Sequence, residues 1–358
     1  MKKLVLTVFI VFQCTALCAE PLRIGTTFSP VQTGYLDMDW KETYLSILDQ
    51  GFDIIRLGAY WNEIEKKEGV YDFSRLDWQI NKARDKGIPV VLTVGMKAPR
   101  WPEYFIPEWV LEKSKLPFGS DVSRDAFLRG KTLEFIKKTV NRYKNEKIVR
   151  YWQVENEPLN RIGEKHWIIG LSFLKQEVDL VRSLDKTRRP VVLTATTYPN
   201  KILRFVWRLL LRHDPVSESM KIGDILGLNV YPVVGQDLFG LKFYFWTTRR
   251  ERNVYFSRLM HLVKEKGKEA WIMELQAEPW EPGHLAYKGK ERPPTGRPGE
   301  LPDLFREFSS LGYNTIFLWG AEYWLHRQKR HQDKLWLDKV RSLMDCRRRE
   351  KIGKLSSN

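Results

Sequence analysis

At 358 residues, 43% hydrophobic and 29% charged, the chain excludes a disordered or fibrous polymer and can bury a sizeable core, as one large domain or two smaller ones. Its formal net charge of +16 leaves nucleic acid, anionic lipid or an acidic polysaccharide as partners in principle. No nucleic-acid-binding motif accompanies that charge, so nucleic acid is not expected, and an anionic substrate or surface stays open.

Residues Met1 to Ala19 read as a secretory signal peptide. Lys2 and Lys3 form its basic start, and Leu4 to Phe12 is an apolar run too short to span a bilayer. Cleavage after Ala19 predicts a secreted or periplasmic protein. Acylation of Cys18 is the weaker alternative, because Leu17 is bulky where a small residue is preferred. No later segment reads as an integral membrane span; Phe205 to Leu211 is apolar but broken by Arg208. Cys14 and Cys18 fall in the signal, so the mature chain keeps Cys346 and no internal disulfide is expected.

Beyond the signal, strand and helix alternate. Leu22–Phe28 is a first strand, stopped by Ser29-Pro30. Trp40–Gln50 is helical with Gly51 as its cap. Asp53–Tyr60 is a second strand. Ser74–Lys86 is a helix that Ser74 opens and Gly87 closes. Ile88–Gly95 is a third strand, apolar throughout and suited to burial on both faces. A long helix over Arg124–Asn145 leads into the fourth strand, Val149–Glu157. The pattern repeats with helix Trp167–Leu184, strand Pro190–Thr197, helix Lys201–Arg212 and strand Ile225–Tyr231. It ends with helix Arg250–Lys266, strand Ala270–Gln276, helix Pro302–Leu311, strand Thr315–Ala321 and helix Asp333–Cys346. Eight strands alternating with eight helices predict the α/β class and a single (β/α)₈ TIM barrel over residues 20–346, followed by a basic tail, 347–358. A doubly wound sheet that binds dinucleotides would carry a Gly-rich turn after its first strand, and Arg23 to Phe28 has none.

Three long connections leave strand C-termini, the catalytic face of such a barrel. Met96–Val122 carries Trp101, Tyr104, Phe105, Trp109 and Phe118. Pro232–Thr248 carries Phe239, Phe243, Tyr244, Phe245 and Trp246. Glu278–Glu300 is rich in Pro and Gly. Exposed rings there suit the C–H faces of sugars, although the same rings serve equally well to pack the loops onto the barrel.

The fourth strand ends in Glu155-Asn156-Glu157-Pro158, and the seventh in Glu274-Leu275-Gln276. A carboxylate at a strand end is costly unless it does chemistry. Two of them suggest hydrolysis of a glycosidic bond, which needs a proton for the leaving oxygen and electron density at the anomeric carbon. Strict alternation puts Glu155 and Glu157 on one face and Asn156 on the other. Asn156 and Glu157 therefore reach the mouth together only if the strand end is distorted. Glu155 would then be a deep interior carboxylate in need of a partner such as Arg56. Glu278 competes with Glu274.

In Asn156-Glu157-Pro158, Asn229-Val230-Tyr231-Pro232, Glu274 and Trp319, in that order at strand ends, the chain resembles the clan A glycoside hydrolases. The segment Asp53 to Asp77, with Tyr60-Trp61-Asn62, is similar to the family 42 and family 5 branches. The resemblance implies Glu157 as acid/base and Glu274 as nucleophile of a retaining enzyme, with carboxyls about 5–5.5 Å apart. It implies that Asn156 binds the sugar 2-hydroxyl and that Tyr231 donates to Glu274. Arg56 would lie beside Glu274 and favour its charged form. Trp319 would floor the cleaved subsite, with a non-proline cis peptide after it. Gln276 and Trp61 complete the substrate-binding candidates. The expected substrate is a β-linked oligo- or polysaccharide, and no cofactor or metal is expected. Two departures from the pattern bear on which sugar is bound. Val94-Gly95-Met96-Lys97 lacks a histidine common near the third strand end, and Asn229 stands where family 5 often has one. A transglycosidase would use the same glutamates, and a carbohydrate-binding barrel would need neither. A metal hydrolase is disfavoured because the six histidines are scattered.

Overall fold

The computed structural model describes residues 21–355 apart from 162, 164, 239, 240, 283 and 285, so the signal-peptide reading of Met1–Ala19 lies outside the described residues. The eight expected strand regions form β1 (Arg23–Thr27), β2 (Ile54–Gly58), β3 (Val90–Val94), β4 (Val149–Val154), β5 (Val191–Thr196), β6 (Ile225–Val230), β9 (Glu269–Gln276) and β10 (Thr315–Trp319). They close in sequence order into one parallel barrel, with β10 pairing back to β1. Strands β2 and β3 are buried at every position, as strands covered by helices outside and side chains inside must be. The two numbers missing from that series belong to a hairpin that the strand count did not foresee. β7 (Val233–Leu238) and β8 (Leu241–Trp246) pair antiparallel within the aromatic connection after β6.

The expected helices are present as α2 (Trp40–Leu48), α4 (Ser74–Asp85), α6 (Ala126–Tyr143), α7 (Leu171–Leu184), α8 (Lys201–Leu211), α10 (Arg249–Glu265), α11 (Leu301–Ser310) and α13 (Leu335–Leu355). Their starts follow side-chain chemistry. Asp125 accepts from Leu128 N at 2.8 Å to cap α6, and Thr248 with Glu251 forms a reciprocal capping box on α10. Ser74 is the first residue inside α4 rather than its cap; Asp72 accepts from Ser74 N at 2.9 Å instead. Helix α13 continues past Cys346 through the basic run, where Arg347 pairs with Asp53 and donates to Leu22 O. Five further α-helices lie among the described residues: α1 (Pro30–Tyr35), α3 (Trp61–Ile64), α5 (Glu108–Lys113), α9 (Pro215–Ile222) and α12 (Ala321–His331).

Two apolar zones support the mouth. The larger lies between strands and helices, with Leu57, Leu92, Trp152, Leu193 and Leu318 facing outward from the barrel. The smaller fills the barrel interior with Ile54, Val91, Val192, Ile225, Trp271, Met273 and Phe317. Such a plug makes the barrel a packed core rather than a pore, so polar groups at the strand C-termini sit on a solid floor. Among the described residues no helix is long and apolar enough to cross a membrane.

Candidate active site

Strand β4 pairs with β3 only as far as Val154, and then its geometry breaks. Glu155 and Glu157 both adopt positive φ, 59° and 47°. Such conformations strain a non-glycine residue and persist only where surroundings enforce them. Here the enforcing bonds are Glu155 N to Val94 O at 2.9 Å, Asn156 N to Lys97 O at 2.9 Å and Glu157 N to Thr194 Oγ1 at 2.9 Å. The expected distortion is therefore present, and it lets Asn156 and Glu157 both reach the mouth.

Glu155 does not pair with Arg56, contrary to expectation. Its carboxyl folds over Gly95 and accepts from the backbone N–H groups of Met96 at 2.8 Å and Lys97 at 2.5 Å. Gly95 has φ of 120°, and a Cβ there would lie 2.0 Å from Glu155 Oε1, so only glycine admits this arrangement. Burial pushes the Glu155 carboxyl up to about 7, against the pull of those amides. Burial, then the Glu155 charge, holds the Glu177 carboxyl well above the usual range.

Glu157 is 4% exposed. Its Oε1 accepts from Thr196 Oγ1 at 2.6 Å and Asn229 Nδ2 at 2.7 Å. Burial raises its affinity for a proton, and the charge of Glu274 raises it further. Lys97 opposes both. This lysine is fully buried, donates to Glu157 O at 3.1 Å and lies 3.5 Å from Glu103 Oε2. Glu103 is a third carboxyl of the cluster, pushed up to about 8 by burial, with Lys97 opposing and the Glu157 and Glu274 charges adding to the rise. It accepts from Asn156 Nδ2 at 3.0 Å, so the Asn156 amide is engaged at the site rather than pointing free into it.

Lys97 has a consequence for pH dependence. Removing this cation in Lys97→Met favours the protonated form of Glu157, because a nearby positive charge stabilises the carboxylate. If Glu157 must be protonated for turnover, the alkaline limb of kcat/KM is expected to move to higher pH in the variant. A pH–rate profile checks this; a limb that stays in place removes Lys97 from the electrostatics of the acid.

Glu274 reaches the same cluster through a bulge. Trp271 and Met273 face the barrel interior, so alternation would turn Glu274 outward. The β6–β9 register instead jumps from Leu228↔Ile272 to Asn229↔Glu274, with Met273 as the extra residue. Such a bulge re-aims every side chain after it. Glu274 thereby turns inward, where Arg56 Nη2 donates to Oε1 at 2.5 Å and Tyr231 OH donates to Oε2. Arg56 is itself fixed by Thr27 Oγ1 at 2.9 Å and Gln153 Oε1 at 3.4 Å. Burial and the Glu274 charge hold the Tyr231 hydroxyl well above its ordinary range, so it remains a donor.

Other candidates are placed differently from expectation. Trp61 belongs to the core: it has no exposed surface, stacks on Phe135 at 5.3 Å and donates from Nε1 to Glu65 at 2.7 Å, so it cannot meet a sugar. Gln276 spends its amide on loop backbone, donating to Val233 O at 2.8 Å and Thr295 O at 3.1 Å and accepting from Val233 N at 3.1 Å. It ties the hairpin and the loop after β9 to the barrel instead of presenting itself to substrate. Trp319 lies at the site and is 7% exposed, but the Arg100 guanidinium stacks 3.9 Å from its ring centroid and covers that face. Arg100 is held by Glu278 and, at 2.8 Å, by Glu322. Glu278 is thus engaged by a cation at the rim. No cis peptide follows Trp319; Gly320 makes the turn with φ of 129°, and among the described residues the cis bond is Trp101–Pro102.

Lys97, Glu103 and Arg100 escaped sequence reasoning. Each sits in the aromatic connection after β3, where a charged residue normally reads as loop surface. Trp280 is a further addition, 36% exposed and edge-on to Tyr231 at 4.8 Å. Of the rings expected on the first long loop, Tyr104 and Phe105 are buried, while Trp101 and Phe118 are exposed. Among the described residues no group of three or more His, Cys, Asp or Glu is arranged to hold a metal ion.

Comparison with known proteins points to the same barrel fold. A family model described as beta-galactosidase, of glycoside hydrolase family 42, matches residues 30–168. Beta-galactosidase Bga of Halorubrum lacusprofundi is 24% identical over 147 residues, 38% of this chain and 20% of its own length. Beta-galactosidase BgaB of a Geobacillus species is 29% identical over 144 residues, 37% of this chain and 21% of its own. The chain thus spans about a fifth of the length of these curated relatives. Among solved structures, the beta-galactosidase of Marinomonas ef1 superposes with a TM-score of 0.57 at 15% identity, over 83% of this chain and 54% of that one. Xylanase 10B of Thermotoga petrophila superposes with a TM-score of 0.53 at 15% identity, over 84% and 82%. The chain resembles the clan A glycoside hydrolases, by sequence in its first half and by barrel fold throughout. These matches support a glycoside hydrolase.

Proposed function

We propose that the protein is a retaining glycoside hydrolase that cleaves O-glycosidic bonds of β-linked oligo- or polysaccharides by double displacement. The observation that carries this reading is the contrast between two neighbouring carboxyls. Glu157 is biased toward its protonated form by burial and by the charge of Glu274. Glu274 lies between the Arg56 cation and the Tyr231 hydroxyl. Environments that differ in this way assign acid and nucleophile.

In the first step a Glu274 oxygen attacks the anomeric carbon while the Glu157 proton passes to the departing oxygen. The glycosidic C–O bond breaks and a glycosyl ester forms. In the second step water attacks the same carbon, gives its proton to Glu157 and releases the Glu274 carboxylate. Two inversions give net retention. Trp280, the part of Trp319 that Arg100 leaves open and Asn156, on exchanging its Glu103 partner for a sugar hydroxyl, are the groups that would meet the sugar. Relatives named beta-galactosidases make a β-galactoside the first substrate to try, with β-xylan and β-mannan next. The reading of Met1–Ala19 puts this activity outside the cytoplasm.

The test is proton NMR of the first product released from a β-glycoside. The β-anomer is expected to appear first and then mutarotate. Initial release of the α-anomer would mean inversion, in which Glu274 cannot be the nucleophile.

A further inference from the structure

Helix α8 leaves its apolar stripe uncovered, while α9 is the helix of the β5–β6 connection that packs on those strands. A helix of this shell should bury its apolar stripe and present its charges to water. In α8, Ile202, Phe205, Val206, Leu209 and Leu210 recur at spacings of three and four and all lie outward, with Ile202 74%, Phe205 69% and Leu209 70% exposed. The inward side carries Trp207 and the buried Leu211 together with cations. Arg204 stacks on the Tyr255 ring at 4.7 Å and donates to Tyr198 O at 3.0 Å, and Arg208 lies 3.5 Å from Asp214. Trp207 stacks on Tyr198 at 5.4 Å beside them. These contacts fix the rotation of the helix, so the apolar stripe cannot turn inward without breaking them.

The hairpin repeats the arrangement. Along β8, Tyr244 points toward the loop after β9, where its hydroxyl donates to Glu281 at 3.2 Å. The opposite face carries Leu241, Phe243 and Phe245, all exposed, and Trp246 at the strand end is 69% exposed. The start of α8 lies against the start of the helix that follows the hairpin: Asn200, which caps α8, donates to Glu251 at 2.8 Å. Both leave C-terminal strand ends, α8 after β5 and the hairpin after β6, on the same side of the barrel as Glu157 and Glu274.

Charge selects the occupant of this surface. Arg204 and Arg208 are engaged by inward partners, which leaves Lys201 and Arg212 exposed beside α8 and Lys242, Arg249 and Arg250 exposed beside β8; residues 201–212 and 241–250 hold no acidic residue. A sugar polymer would be met by a groove with polar groups, and a second copy of this chain would bring the same positive charge against itself. An apolar stripe of Phe, Leu and Trp rimmed by Lys and Arg fits the interfacial zone of an anionic bilayer, where the apolar groups enter the acyl boundary and the cations meet the headgroups. We infer that α8 and β8 form a peripheral docking surface for an anionic lipid membrane, which holds the barrel mouth close to the bilayer. The inference stands on the surface alone and does not depend on the reaction assigned to the site.

The experiment uses the full chain with vesicles of phosphatidylcholine, with and without phosphatidylglycerol. Binding is read by co-sedimentation, and its location by hydrogen–deuterium exchange of peptides covering residues 201–212 and 241–246. Expected are binding to the anionic vesicles that weakens with salt and slower exchange in those two peptides. The double variant Phe205→Ser with Leu209→Ser is expected to weaken binding by about tenfold or more, and its exposed positions leave the fold intact. Binding that leaves exchange in both peptides unchanged would place the contact elsewhere, for instance at residues 1–20, and overturn the inference. So would equal binding to vesicles lacking phosphatidylglycerol, or protection that appears without vesicles as protein concentration rises, which would identify a second copy as the occupant.

Discussion

Glu274→Ala is expected to lower turnover by on the order of a thousandfold or more, because the covalent route has no substitute nucleophile at that position. Azide should restore part of the rate by entering the space left by the side chain. The glycosyl azide formed from a β-glycoside should then have the α configuration, since one displacement replaces two. The variant also leaves the buried Arg56 guanidinium without its carboxylate, and breaking a buried pair costs about 3–5 kcal/mol of stability. Glu274→Gln keeps an acceptor for Arg56 and separates the two effects: it should lose less stability than the alanine variant and turn over as slowly. Unchanged turnover in a folded Glu274→Gln protein would exclude this residue as nucleophile. Glu278, which Arg100 holds at the rim, would then be the carboxyl to replace next.

Glu157→Gln is expected to separate substrates by leaving group. An alkyl or sugar leaving group needs the proton that Glu157 supplies, and general acid catalysis is worth about 10²–10⁴-fold. A dinitrophenyl group leaves without that help, so formation of the glycosyl enzyme should change little for such a substrate. The pH profile adds a second readout. Burial and the Glu274 charge raise the Glu157 pKa, so the protonated, active form persists to higher pH than an ordinary glutamate would allow. In the parent, kcat/KM should fall as pH rises through that raised value. In Glu157→Gln the alkaline limb should be absent, since the titrating group is gone. A variant that loses activity equally on both leaving groups and keeps the limb would assign the proton to another residue, with Glu103 a buried carboxyl of raised pKa in the same cluster.

The two glutamates differ in how their chain segments reach the mouth. Pairing of β4 with β3 stops at Val154, and two left-handed residues turn the chain so that Asn156 and Glu157 emerge together. Pairing of β9 runs on to Gln276, and one inserted residue shifts the alternation. Both devices cost regular geometry at the strand end, which is where a barrel places chemistry rather than stability.

The sequence by itself determined the barrel. Apolar runs such as Ile88–Gly95 and Ile225–Tyr231, spaced by amphipathic helices, predict eight parallel strands because hydrophobic period and length are local properties. Gly51, Gly87 and Gly312 marked helix ends for the same reason. Glu157 and Glu274 were legible as site candidates because carboxylates end strands that are otherwise apolar, and Asn156, Tyr231 and Arg56 through the resemblance to the clan A glycoside hydrolases. Tertiary structure decided everything that depends on register and on partners distant in the chain. The inward aim of Glu274 rests on a mismatch between β6 and β9 that neither strand records alone. The partner of Glu155 proved to be the Met96 and Lys97 amides rather than Arg56, and Arg100 came to cover Trp319 from a loop 219 residues earlier in the chain. Trp61 and Gln276 looked available in sequence and were claimed by the core and by loop backbone. Helix α8 kept the period expected of it, but Arg204, Arg208 and Trp207 anchored the opposite face. Periodicity specifies that a helix has two faces; only the neighbours packed against it choose which one is buried.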